Sequence, residues 1–80
     1  MKNQSDLKIR AENGDVEAMY DYGVVLYFEK RDYETALQYL LHAASNNYEL
    51  AYGEIGVIMC NETQDYVAAE KWFDKIGEEE

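Results

Sequence analysis

Asp32-Tyr33-Glu34-Thr35-Ala36-Leu37-Gln38-Tyr39-Leu40 recurs 33 residues later as Asp65-Tyr66-Val67-Ala68-Ala69-Glu70-Lys71-Trp72-Phe73. The acid, the tyrosine and one alanine keep their places, and Tyr39-Leu40 becomes Trp72-Phe73, so two large apolar side chains stand where two stood before. Upstream, the same shift carries Ala18 onto Ala51, Gly23 onto Gly56, Val24 onto Val57 and Glu29 onto Glu62 without a gap. A period in the thirties marks stacked helical hairpins, because a single hairpin cannot bury its apolar face alone. Spacing within the first copy agrees: Ala18, Met19, Tyr22, Gly23 and Leu26 recur at three and four, which is one stripe of a helix. The next segment, carrying Tyr33, Ala36, Leu37, Tyr39, Leu40, Ala43 and Ala44, does the same.

Boundary residues divide the chain into a half repeat and two whole ones. Ser5 is the expected N-cap of a first helix over 5–13, with Asp6 in its first turn and Gly14 stopping it. Under the shift its Leu7, Ala11 and Asn13 fall on Leu40, Ala44 and Asn46, so this helix resembles the closing half of a repeat. The first repeat spans 15–47, with Asp15 and Asp32 as N-caps and Asn46-Asn47 as a left-handed C-terminal cap. The second spans 48–77, with helices expected at 48–60 and 65–76, and the tail Glu78-Glu79-Glu80 is expected to fray at a helix end that disfavours negative charge. Gly23 and Gly56 interrupt good helical pattern in both copies, which predicts that a neighbouring helix backbone comes close there. With no proline and no strand-like alternation, the fold class is all-α: one domain over 1–80, a short α-α superhelix of about five antiparallel helices.

Composition narrows the function. Apolar residues make up 48% of the 80, enough for a core and against disorder. The net charge of −10, with seven Lys and Arg against 17 Asp and Glu, excludes binding to nucleic acid by phosphate neutralisation and repels an anionic membrane. It favours a protein partner with a basic surface. No stretch reaches the length of a membrane span and the first residues lack an apolar leader pattern, so a cytoplasmic protein is expected. The single cysteine, Cys60, agrees with a reducing compartment.

Chemistry-bearing constellations are missing. His42 has no metal-spaced ligands around it, and Cys60 has no histidine in sequence reach and carries Glu62 and Asp65 nearby, which disfavours a thiolate. The five glycines fit no phosphate-cradling spacing. The expectation is a protein that is not an enzyme, with no catalytic residues, no metal site and no cofactor.

The stretches Ala11-Glu12-Asn13-Gly14-Asp15-Val16-Glu17-Ala18, Gly23, Asp32 to Ala36, Tyr39-Leu40 and Ala43-Ala44, with Ala51, Gly56, Asp65 to Ala69 and Trp72-Phe73, resemble the Sel1-like repeats, a branch of the tetratricopeptide-like helical solenoids. The resemblance covers nearly the whole chain, and departs from the family pattern in a shorter interhelix connection and in Leu26 and Met59 where a tyrosine is usual. It implies an adaptor that binds other proteins through the first helix of each hairpin. The positions resembling groove-lining ones are Glu17, Tyr20, Val24 and Tyr27 in the first copy and Leu50, Gly53, Val57 and Cys60 in the second.

Tyr20, Val24 and Tyr27 make an i, i+4, i+7 stripe that either seats a partner or finishes the packing between repeats. Leu37 and Leu41 map on Glu70 and Asp74, read either as an inner repeat meeting its neighbour while the outer one meets water, or as an exposed pair that a partner or a second copy covers. The acidic surface comprises Glu17, Asp21, Glu49, Glu54, Glu70 and Asp74. It serves solubility in the plain reading; in the sharper one the chain is an inhibitor of anti-CRISPR or anti-restriction type, an acidic mimic that fills a basic nucleic-acid-binding groove.

Overall fold

The computed structural model describes residues 4–77 and is all-α. Its helices are α1 (Gln4–Glu12), α2 (Val16–Phe28), α3 (Tyr33–Ser45), α4 (Leu50–Ile58) and α5 (Tyr66–Gly77), and a π-helical turn, Met59–Thr63, prolongs α4. Each helix packs chiefly on its sequence neighbours, and α2 also touches α4. The molecule measures 34 × 28 × 18 Å, and that thickness is about two helix diameters of roughly 10 Å each, so the hairpins stand side by side as a two-layered slab.

The turns repeat as faithfully as the helices. Among the described residues four take left-handed backbone, Gly14 (φ 97°), Arg31 (61°), Asn47 (65°) and Gln64 (57°), and they form two pairs separated by the same 33 positions. Gly14 and Asn47 close Schellman motifs: the N–H groups of Asp15 and Tyr48 donate to the carbonyls of Arg10 and Ala43 at 3.0 and 3.1 Å, and those of Gly14 and Asn47 to Ala11 and Ala44 at 3.1 and 2.9 Å. Arg31 and Gln64 close a wider loop, in which the Asp32 N–H reaches the Leu26 carbonyl at 2.9 Å and the Asp65 N–H reaches the Met59 carbonyl at 3.1 Å.

Asp15, Asp32 and Asp65 cap the helices that follow them, accepting the N–H groups of Ala18, Thr35 and Ala68 at 3.2, 3.2 and 3.1 Å. Tyr48 occupies the Asp15 position of the second copy and has no such acceptor, which is why α4 starts at Leu50 rather than at 48. At its other end the α-helical ladder of α4 stops at Ile58, not at 60, where the wider turn begins. Ser5 lies inside α1, which runs one residue earlier than 5–13 at both ends. The tail 78–80 lies outside the described residues.

At the glycines the close neighbour is mainly a side chain. A Cβ on Gly23 would stand 2.9 Å from Leu40 Cγ and 3.4 Å from the Ala36 carbonyl oxygen; one on Gly56 would stand 2.6 Å from the Phe73 ring. Leu40 and Phe73 are repeat counterparts, so the same lock, a large side chain of the second helix over a glycine of the first, is built twice. Between the hairpins Leu40, Ile55 and Ile58 are the largest fully buried side chains, and Ala18, Ala36, Ala43 and Ala51 are fully buried around them. Small residues at these positions let the helices close to contact distance.

Arg10 fixes α1 to the start of α2 by donating from Nε and Nη2 to Asp15 Oδ2 at 2.9 and 2.7 Å. The Arg10 hydrogen bond first, and the Ala18 N–H second, hold the Asp15 carboxyl below the usual carboxylate range. A lowered folded pKa contributes stability above the unfolded value, and that contribution is lost as pH falls through the folded one. Melts followed by circular dichroism should therefore show the midpoint falling below about pH 4, and Asp15→Asn should flatten that fall.

Candidate functional site

Tyr20 and Tyr27 point from α2 toward the second hairpin. The Tyr20 hydroxyl donates to Glu54 Oε2 at 3.4 Å, and its ring meets Tyr48 at 5.3 Å between centroids. Tyr27 is buried; its hydroxyl donates to Glu62 Oε2 at 3.0 Å and accepts from Asn61 Nδ2 at 3.3 Å. Beside it, a cleft of about 340 Å³ is lined by Tyr27, Phe28, Arg31, Tyr33, Asn61 and Glu62. Tyr20 and Tyr27 thus join the two hairpins through their hydroxyls. The physical reason is reach: a tyrosine spans the gap between first helices that scarcely touch each other through their backbones, and burial of its ring is fully compensated only when the hydroxyl finds an acceptor.

Burial and the nearby carboxylates raise the phenol pKa of Tyr20, and burial does the same for Tyr27 and Tyr39. A raised folded pKa contributes stability that is fully present below the unfolded value, about 10 for tyrosine, and lost as pH rises through the folded value. Absorbance titration should show a late-ionising component from Tyr20, Tyr27 and Tyr39, with unfolding setting in over the same alkaline range. Tyr27→Phe should remove one of the late phenols and soften the alkaline loss.

Other candidate residues fall elsewhere. Val24 is half-buried and Glu17 exposed, while Leu50 and Val57, on one side of α4, are exposed. Leu37 is half-buried against the core and Leu41 exposed; their counterparts Glu70 and Asp74 are exposed carboxylates. Of the acidic set, Glu54 is engaged by Tyr20, Asp21 is half-buried and Glu49 is exposed. His42 is exposed and Cys60 half-buried. No group of three or more His, Cys, Asp or Glu among the described residues is placed to hold a metal ion, and no described helix is long and apolar enough to cross a membrane.

On the outer side of the second hairpin the binding candidates Leu50 and Val57 are exposed together with Tyr66, Phe73 and Ile76, which were not among those candidates. Leu50 is 63% exposed, Val57 36%, Tyr66 61%, Phe73 40% and Ile76 50%, whereas Leu40, the counterpart of Phe73, is 0% exposed. Leu50, Gly53 and Val57 share one side of α4 at i, i+3 and i+7, and Ile76 lies along it, with its Cδ1 3.8 Å from where a Gly53 Cβ would stand. The signal was present in the repeat itself: residues that α4 covers in the first copy have counterparts on α5, and no described helix follows α5.

Compared with protein-family models, with curated proteins and with solved structures, the chain matches none.

Proposed function

We propose that the chain is a non-enzymatic protein-binding module that holds a protein partner on the outer side of its second hairpin. The observation that carries this reading is the apolar surface of Leu50, Val57, Phe73 and Ile76, left open on two adjacent helices and bordered by Glu49, Glu70 and Asp74. Apolar centres rimmed by charge are how proteins mark contact surfaces, since the centre supplies the binding energy and the rim selects the partner. The resemblance to Sel1-like repeats, whose members act as adaptors, supports the same class of work. A net charge of −10 favours a basic partner and fast, salt-sensitive encounter.

The test is affinity capture on wild type and on Leu50→Asp/Val57→Asp, both exposed positions whose replacement leaves the helical spectrum intact. A protein held by wild type and lost by the variant is the expected result; identical proteins on both would refute the site. Salt separates this reading from the acidic mimic. Contact through the apolar centre survives a rise from about 0.05 to 0.5 M salt, whereas a mimic of a nucleic-acid backbone loses its target over that range and is displaced by DNA or RNA.

A further inference from the structure

We infer that the open side of the second hairpin receives a basic amphipathic helix of the protein partner, seated there as α4 is seated on the first hairpin. The inference rests on the binding-module reading above and names what that module binds. The molecule supplies its own template. In the first hairpin, α4 lies along α3 with Ala51, Ile55 and Ile58 fully buried, and Leu40 of α3 is fully buried as well. Leu37 stands three positions before Leu40 on the same side of α3, and Leu41, one position after it and one turn from Leu37, is exposed at the edge of that side.

On α5 the corresponding residues are Phe73, Glu70 and Asp74. The apolar centre is kept and its two flanking leucines have become carboxylates, exposed to solvent. An occupant of this side must therefore match an apolar centre with aliphatic side chains and meet Glu70 and Asp74 with Lys or Arg. Of the two lysines of α5, Lys75 lies 5.6 Å from the Trp72 ring centroid, and only Lys71 stands three or four positions from either carboxylate, beside Asp74.

The α4 wall carries smaller side chains than its counterpart on α2. Where α2 raises Tyr20 and Tyr27 toward its neighbour, α4 has Gly53 and the π-helical turn after it has Cys60, both half-exposed. Ile76 leans over this side, its Cδ1 3.8 Å from where a Gly53 Cβ would stand, and Val57, Phe73 and Ile76 are exposed around it. A second copy of this chain is a poor occupant, because it brings ten net negative charges to a side already carrying carboxylates.

The probe is a fluorescein-labelled synthetic peptide of about 18 residues, long enough to hold helix on a surface. It repeats Ala, Ile and Ile at the spacing of Ala51, Ile55 and Ile58, with Lys on the flanks of that stripe. Fluorescence anisotropy with the full chain should show saturable binding, and amide shifts of the labelled protein should concentrate at Gly53, Val57, Cys60 and along α5. Ile76→Asp should weaken binding at least about tenfold, as loss of a central apolar contact does, and Glu70→Lys/Asp74→Lys should weaken it and reduce its salt dependence.

Absence of binding, equal binding by a scrambled peptide of the same composition, or shifts centred on α1 to α3 would each overturn the proposal. So would light scattering that finds the chain alone as a dimer, since a second copy would then be the occupant. If the peptide fails while Leu50→Asp/Val57→Asp still loses its captured protein, the helix proposal falls and the binding module stands. If that variant loses nothing, the module reading itself falls.

Discussion

Leu40→Ala is expected to lower stability by about 3 to 5 kcal/mol, the range for truncating a fully buried leucine whose surroundings cannot collapse. Leu40 is fully buried, sits against Gly23 and is packed on its far side by the second hairpin, so the cavity would be walled by two hairpins at once. A domain of this size holds only about 4 to 12 kcal/mol in all, and the corresponding fall in melting midpoint is on the order of 20 °C. Phe73→Ala removes a larger side chain from the equivalent position of the second copy. Its cost is expected to be about 1 to 2 kcal/mol, because Phe73 is already partly in water and loses only its inner contacts. Chemical denaturation of the two variants measures the contrast. Equal losses would mean that the outer side of α5 is covered in solution.

Gly23→Val is expected to cost about 2 to 3 kcal/mol, and Gly56→Val under about 1 kcal/mol, although both put the same side chain at the same place in the repeat. At Gly23 the new Cβ meets Leu40 Cγ, the branch point of a side chain with no free space around it, and the Ala36 carbonyl oxygen stands next to it. Neither can retreat without moving α3 away from α2. At Gly56 the obstacle is the far edge of the Phe73 ring, which is exposed enough to swing outward about its own rotamer. Each valine also gains a few tenths of a kcal/mol over glycine in helix propensity, which goes a long way toward offsetting the smaller clash and does little against the larger. Thermal melts of the pair, run together, decide the matter. A Gly56 variant as damaged as the Gly23 variant would show that Phe73 is fixed in place.

The hairpins were legible because their determinants are local. Asp15, Asp32 and Asp65 announce helix starts through their own side chains, Gly14 and Asn47 announce helix ends through backbone freedom, and the glycine locks recur where helical pattern would otherwise forbid them. Arg31 and Gln64 were not legible. Nothing in an arginine or a glutamine marks left-handed backbone, and their conformation is imposed by the six-residue loop that the Asp32 and Asp65 N–H groups close. The tyrosine stripe was legible, with packing between the repeats as one of its two readings, but its hydrogen-bond partners were not. Spacing shows that Tyr20, Val24 and Tyr27 share a side of α2, whereas only the three-dimensional arrangement brings Glu54, Asn61 and Glu62 within reach of the two hydroxyls. Exposure of Phe73 and Ile76 likewise depends on what lies beyond α5, a relation between elements rather than a property of either residue.

The two copies are thus alike in construction and different in what they meet. The first hairpin is enclosed by α1 on one side and by α4 with its wide turn on the other, and its tyrosines and leucines are largely used up in that enclosure. The second keeps the same locks and caps while presenting apolar side chains among carboxylates. The proposed recognition surface accordingly lies on the open side of α4 and α5.

Hydroxyl-radical footprinting of the protein alone and in its captured complex tests that placement most directly, because it reads side chains one by one. The account predicts that Leu50, Val57, Tyr66, Phe73 and Ile76 become protected in the complex while Tyr20, Tyr27 and Leu41 are unchanged. Protection of Tyr20 and Leu41, with Phe73 and Ile76 still reactive, would contradict it.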